Sequence, residues 1–197
     1  MAAHVRATLR TCFAELRQIR SVRRSLSREA LLTLIRALVV SKLDYCNSVL
    51  VGVTITLQRR LQSVFNAGAR RSEHVTPLLR DLNWLKVPER IQFRLCVLTY
   101  WCLHGISPSY LAETLHLTSS VESRRRLRSG STSTLLVPTS RRTTLGDRAL
   151  PEAAAWAYNV LPASVRTIES FTAFRRQIKT LLFKASVNDD RTWLSQL

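Results

Sequence analysis

From Val5 to Ile19 the apolar residues Val5, Leu9, Phe13, Leu16 and Ile19 recur at intervals of three or four, with Arg6, Arg10, Arg17 and Arg20 spread around the rest. That period predicts an amphipathic helix over 4–22, extended on its basic side by Arg23 and Arg24. Ser27 then offers an N-cap, with Glu29 in the first turn where a carboxylate meets the positive helix end. The helix it opens is predicted to run to Leu50, apolar at Leu31, Leu34, Ile35, Leu38, Val39, Leu43 and Cys46. Gly52 ends that run. Thr54 or Thr56 caps a third helix through Leu57, Leu61, Val64 and Phe65, with Arg59, Arg60, Arg70 and Arg71 mostly off its stripe. Three helices with short joints predict a small basic bundle.

The stretch 74–111 is the densest in apolar residues. Thr76–Pro77, Val87–Pro88 and Ser107–Pro108 each put proline where a helix can start, because its missing N–H has no partner to lose there. After Pro88, Ile91, Leu95, Leu98 and Cys102 keep helical spacing, while Phe93, Val97, Tyr100 and Trp101 widen the stripe beyond that of a surface helix. Gly105 follows as a left-handed stop. This is predicted to be a central core helix.

Between 117 and 144 serine, threonine and arginine dominate, and Arg124, Arg125, Arg126 and Arg128 form a dense basic run. Leu135–Pro138 and Thr143–Leu145 are the only candidate strands, predicting one short hairpin. Pro151 opens an alanine-rich helix carrying Trp156 and Tyr158, stopped at Leu161–Pro162. Ser170 is read as the cap of a last helix with Phe171, Phe174, Ile178, Leu181 and Leu182 inward and Arg175, Arg176 and Lys179 outward. Trp84, Trp101 and Trp156 are assigned to the core. The expected fold class is mainly α: a helical bundle over 1–71, then a second helical subdomain with one short β-hairpin. That second part divides into a central core at 72–116, a basic loop at 117–145, C-terminal helices at 146–185 and a tail at 186–197.

Composition changes this picture in one respect. A hydrophobic share of 46% over 197 residues suits a globular chain with a real core. The charge does not suit a generic one: 30 Lys and Arg face 13 Asp and Glu, a net +17, and lysine occurs only at 42, 86, 179 and 184. Arginine presents a planar fork to phosphate and stacks on bases, so the imbalance points to a nucleic-acid backbone. Contacts are expected at Arg17, Arg20, Arg23, Arg24, Arg124, Arg125, Arg126 and Arg128, without sequence preference. The four cysteines show neither metal-motif nor secreted spacing, and arginines interrupt every apolar run of signal or membrane-spanning length. An intracellular protein of nucleus or cytoplasm, with reduced thiols and no membrane contact, is the expectation. A zinc site from Cys96, Cys102, His104 and His116 fails because 96, 102 and 104 do not share a helix face.

Catalytic chemistry is not supported. Aspartate occurs only at 44, 81, 147, 189 and 190, and the one pair, Asp189–Asp190, lies in the polar tail without the rigid support a magnesium site needs. There is no glycine-rich phosphate loop and no nucleophile elbow. His4, His74, His104 and His116 lack a motif partner. No cofactor and no small-molecule substrate are expected.

Several stretches resemble the end of the reverse transcriptase polyprotein of LINE-type (non-LTR) retrotransposons of the jockey-like kind. They are LRQIRSVRRSLSREALLTLIRALVVSKLDYCNSVL, LQRRLQSVFNAGAR, HVTPLLRDLNWLKVPERIQFRLCVLTYWCLHGISPSYL, RRRLRSGSTSTLLVPTSRRTTLGDRALPEAAAWAYNVLPASV and SFTAFRRQIKTLLF, in that order, over 9–184. The SKLDYCNSVL stretch, the HVTPLL…LKVPERIQFRL block and the Leu161–Pro162 region with Trp156 upstream are the most specific. The resemblance implies thumb-like helices in the first 70 residues, followed by the C-terminal region of the polyprotein. It carries over no catalytic residue, because the palm aspartates and their Tyr/Phe-Ala-Asp-Asp turn do not occur in this sequence. Between Ala69 and Glu73 the family usually has several more residues, so this chain departs from it by a short deletion at Arg70–Arg71. Met1 falls just before the thumb-like helices, as in a truncated element copy or fragmentary gene model. The expected function is a non-catalytic nucleic-acid-binding fragment that is not an enzyme. The alternatives are an inherited fragment with no activity and, third, part of an active RNA-directed DNA polymerase.

Overall fold

The structure, a computed structural model, describes residues 2–45, 47–69, 84–120, 133–138 and 149–188. The chain divides into two compact units, Met1–Arg90 and Ile91–Leu197. It is mainly helical, as the hydrophobic period predicts.

In the first unit, α1 (Ala2–Val22) buries Val5, Leu9, Cys12, Leu16 and Ile19. The predicted Phe13 is only half-buried. Cys12 takes the innermost place, with Sγ 4.0 Å from the carbonyl oxygen of Val39. A small side chain there allows a closer helix approach than a phenyl ring would. A 3-10 turn, Arg23–Ser25, leads to Ser27, whose hydroxyl accepts the Ala30 N–H at 3.2 Å and caps α2 (Arg28–Leu34) as predicted.

The predicted helix after Ser27 runs in unbroken helical backbone to Tyr45, but it is not regular to Leu50. The backbone widens into a π-helical stretch, Ile35–Val40, then resumes as α3 (Ser41–Tyr45) and a 3-10 turn, Asn47–Leu50. The wider turn shifts the phase of the side chains, so that Ile35, Val39, Val40 and Leu43 are all buried. A regular helix would turn one of the adjacent valines outward. Gly52 supplies a left-handed turn at φ 63°. The carbonyl of Thr54 then takes the N–H groups of Leu57 and Gln58 at the start of α4 (Ile55–Ala69). This helix packs against α1 and buries Leu61, Val64 and Phe65.

α5 (Val87–Leu103) begins in the first unit and continues in the second. It buries Ile91, Gln92, Leu95, Cys96, Val97, Thr99, Tyr100 and Cys102, almost its whole circumference, which makes it the core helix that the wide stripe predicts. Gly105 ends it at φ 68°, and the N–H groups of Ile106 and Ser107 turn back to the Trp101 carbonyl at 2.9 and 3.2 Å. The short α6 (Ser109–Ala112) follows Pro108.

The rest of the second unit is α7 (Leu150–Asn159), α8 (Ala163–Arg166) and α9 (Phe171–Asn188). Phe174, Ile178 and Leu182 on α9 are fully buried, while Arg175, Arg176 and Lys179 are exposed, as predicted. The Ser170 hydroxyl meets the Thr172 hydroxyl at 3.0 Å, and the Ser170 carbonyl accepts the Phe174 N–H at 2.9 Å. Trp156 is not a core residue. It is 42% exposed, because α7 packs closely through Ala153, Ala154, Ala155 and Ala157 and Trp156 points away from them. Trp84 is buried and Trp101 half-buried.

The expected hairpin has its second arm, 143–145, outside the described residues. Its first arm forms no strand. Leu135 makes an isolated antiparallel bridge to Leu117, and the side-chain amide of Asn159 holds the other edge.

Candidate nucleic-acid interface

Burial of Val5, Leu9, Cys12, Leu16 and Ile19 fixes which side of α1 faces inward, and thereby where its arginines lie. Arg6, Arg10, Arg17 and Arg20 are separated by four, seven and three residues, intervals that return to one side of a helix. All four are exposed. At 1.5 Å per residue the row from Arg6 to Arg20 extends about 21 Å. Arg23 and Arg24 in the following 3-10 turn are also exposed. Arg28 and Arg36 on the next helical stretch, and Arg59 and Arg60 on α4, add exposed charge to the same unit.

Among the described residues, α1 itself offers this row little compensation. The one acid of α1 is Glu15, on the opposite flank, where Lys42 Nζ donates to Oε1 at 2.8 Å. Asp44 is held by Arg90 Nη1 at 2.7 and 2.8 Å to its two oxygens and by Asn47 Nδ2 at 2.9 Å. Guanidinium groups so placed can follow a phosphate backbone by charge and paired N–H donors, which fixes position without reading bases.

Of the expected contact residues, Arg17 and Arg20 therefore lie on one exposed side of α1, and Arg23 and Arg24 are exposed in the turn that follows it. Arg124, Arg125, Arg126 and Arg128 lie outside the described residues, as do Arg70, Arg71 and Asp189–Asp190. Arg6 and Arg10 belong with the first group. The 4-7-3 spacing identifies them from the sequence, once the arginines are counted against the apolar stripe rather than as a general coat.

No group of His, Cys, Asp and Glu placed to hold a metal ion occurs among the described residues. Cys12, Cys96 and Cys102 are buried free thiols. Burial pushes the Cys12 thiol up, with Lys42 opposing, and raises Cys96 to about 12. Such thiols are poor nucleophiles and poor metal ligands. A cleft of about 350 Å³ in the second unit brings His116 and Glu152 between Leu136, Pro138 and Pro151. No helix among the described residues is long and apolar enough to cross a membrane. Compared with protein-family models, curated proteins and solved structures, the chain matches none.

Proposed function

We propose that this chain is a non-catalytic nucleic-acid-binding fragment related to the thumb and post-palm region of a LINE-type reverse transcriptase polyprotein, acting inside the cell. The observation that carries the binding is the exposed arginine row of α1, Arg6, Arg10, Arg17 and Arg20, in a helix whose one acid is Glu15 on the opposite flank. Arg23 and Arg24, exposed in the turn after it, add charge. RNA or DNA is engaged through phosphate, without sequence preference, and the basic run 124–128 adds to the contact. The retrotransposon origin rests on the quoted sequence stretches.

A second reading has its own observation. Tyr45 is 85% exposed and Ile55 61% exposed in the first unit. An inherited fragment that has lost a neighbouring domain would leave such side chains uncovered. The two readings separate in one titration. Fluorescence anisotropy of a labelled single-stranded RNA across a salt series gives steep salt weakening for the binding reading. A folded protein that fails to bind at low salt favours the inherited fragment.

A further inference from the structure

Phe13 stands in the middle of the arginine row. It follows Arg10 by three residues, precedes Arg17 by four and lies seven from both Arg6 and Arg20, intervals that bring all five side chains to one side of α1. A purely structural phenylalanine would take the buried face, but that face belongs to Val5, Leu9, Cys12, Leu16 and Ile19. Phe13 is half-buried beside it, while Arg6, Arg10, Arg17 and Arg20 are exposed. It is the one Phe, Tyr or Trp of the helix. Among the described residues its ring packs against no other aromatic ring. An apolar ring partly open to water is thus framed by four guanidinium groups along about 21 Å of helix.

We infer that Phe13 is a base-stacking residue and that this face of α1 takes single-stranded nucleic acid, one unpaired base lying on the ring while the arginines hold the phosphates to either side. The inference rests on the phosphate-binding reading of this row and names its substrate class. A duplex satisfies the arginines, because it presents a phosphate backbone. Its bases, however, are stacked on one another inside it, and their faces cannot reach a ring fixed on a helix surface. A single strand offers both partners at once: charge for the arginines and a π-face for Phe13. Every base has such a face, so the contact adds affinity without sequence preference. Arg10 and Arg17, about one turn before and one turn after the ring, are the guanidinium groups that flank the stacked base.

The test uses the full chain and three fluorescent RNAs of one length: a single strand, the same strand carrying abasic sites, and the same strand in a duplex. Wild type is expected to bind the abasic strand roughly fivefold or more weakly than the base-bearing one. Phe13→Leu keeps an apolar side chain but has no ring. It is expected to weaken base-bearing single-strand binding by a similar factor and to leave duplex and abasic binding unchanged. Its salt slope stays that of wild type, because no phosphate contact is lost. Equal wild-type affinity for the base-bearing and abasic strands overturns the inference, whether or not Phe13→Leu folds. So does a helical Phe13→Leu protein with wild-type affinity for the single strand, or with an equal loss on all three RNAs, the mark of a disturbed helix. In each of these cases salt-sensitive binding by wild type leaves the phosphate reading standing. Failure of wild type to bind any of the three at low salt overturns that reading and this one together.

Discussion

Arg90 and Asp44 form a two-point pair, with Nη1 at 2.7 and 2.8 Å from the two carboxylate oxygens. The same guanidinium donates through Nε to the Leu85 carbonyl at 2.9 Å and lies 4.6 Å over the Phe65 ring. Three separate stretches of the first unit, around 44, 65 and 85–90, therefore converge on one side chain. Phe65 in turn meets Trp84 edge-on at 6.2 Å. The side chain of Arg90 is 13% exposed and that of Asp44 43%, so the pair is only partly screened. Arg90→Ala is expected to lower unfolding free energy by about 2 kcal/mol, and Asp44→Asn by about 1 kcal/mol, in urea denaturation. Arg90→Lys does not rescue, because an ammonium cannot supply the Nε bond and the ring contact together. Equal stability of the Lys variant and wild type contradicts this assignment.

Gln92 makes the opposite prediction. It is 1% exposed on α5, and neither its amide nitrogen nor its amide oxygen has a hydrogen-bond partner among the described residues. Burial of an unsatisfied amide costs about 1–3 kcal/mol, and an apolar group of similar shape removes that cost. Gln92→Met is expected to raise the thermal midpoint by several degrees, corresponding to roughly 1 kcal/mol. A lower midpoint would show that the amide is satisfied in solution.

Alkali should unfold the second unit through two buried acids. Cys96 is raised from 9.0 to about 12 by burial, and Tyr158 from 10.0 to about 12, again mainly by burial, with Arg166 opposing. Both are neutral when folded and lose their protons more easily when unfolded. Their contribution is thus fully present below pH 9 for Cys96 and below pH 10 for Tyr158, and is lost as pH rises toward 12. Circular dichroism melts at successive pH values are expected to show a falling midpoint above pH 9. Cys96→Ala and Tyr158→Phe flatten that fall, although each is less stable at neutral pH. A wild-type midpoint constant from pH 8 to 11 contradicts the argument.

Much of the helical plan was legible because each signal acts locally. The Ser27 hydroxyl needs only the next turn to cap α2, and Gly105 needs only its own backbone freedom to end α5. The breadth of the apolar stripe on α5 was sufficient to place it in a core. What escaped depends on neighbours distant in sequence. The π-helical stretch Ile35–Val40 accompanies burial of both Val39 and Val40, which no periodicity template anticipates. Trp156 is large and apolar, yet the four alanines of α7 decide which side packs closely. Leu135 bridges back to Leu117 and is gripped by Asn159, a residue 24 positions further on. The arginine row of α1 was legible in its 4-7-3 spacing, which places Arg6 and Arg10 on the flank of Arg17 and Arg20, and the buried face of α1 agrees with it.

The central claim rests on that flank, and the most direct test is the salt dependence of RNA binding by wild type and a variant with Arg6, Arg10, Arg17 and Arg20 changed to Gln. Each phosphate contact on a single strand contributes about 0.7 to the slope of log affinity against log salt. The four substitutions are exposed and leave the α1 core untouched, so the variant is expected to melt like wild type. The predicted result is weaker binding with a slope shallower by roughly 2–3. An unchanged affinity and slope in a folded variant would contradict the account and remove α1 as the interface.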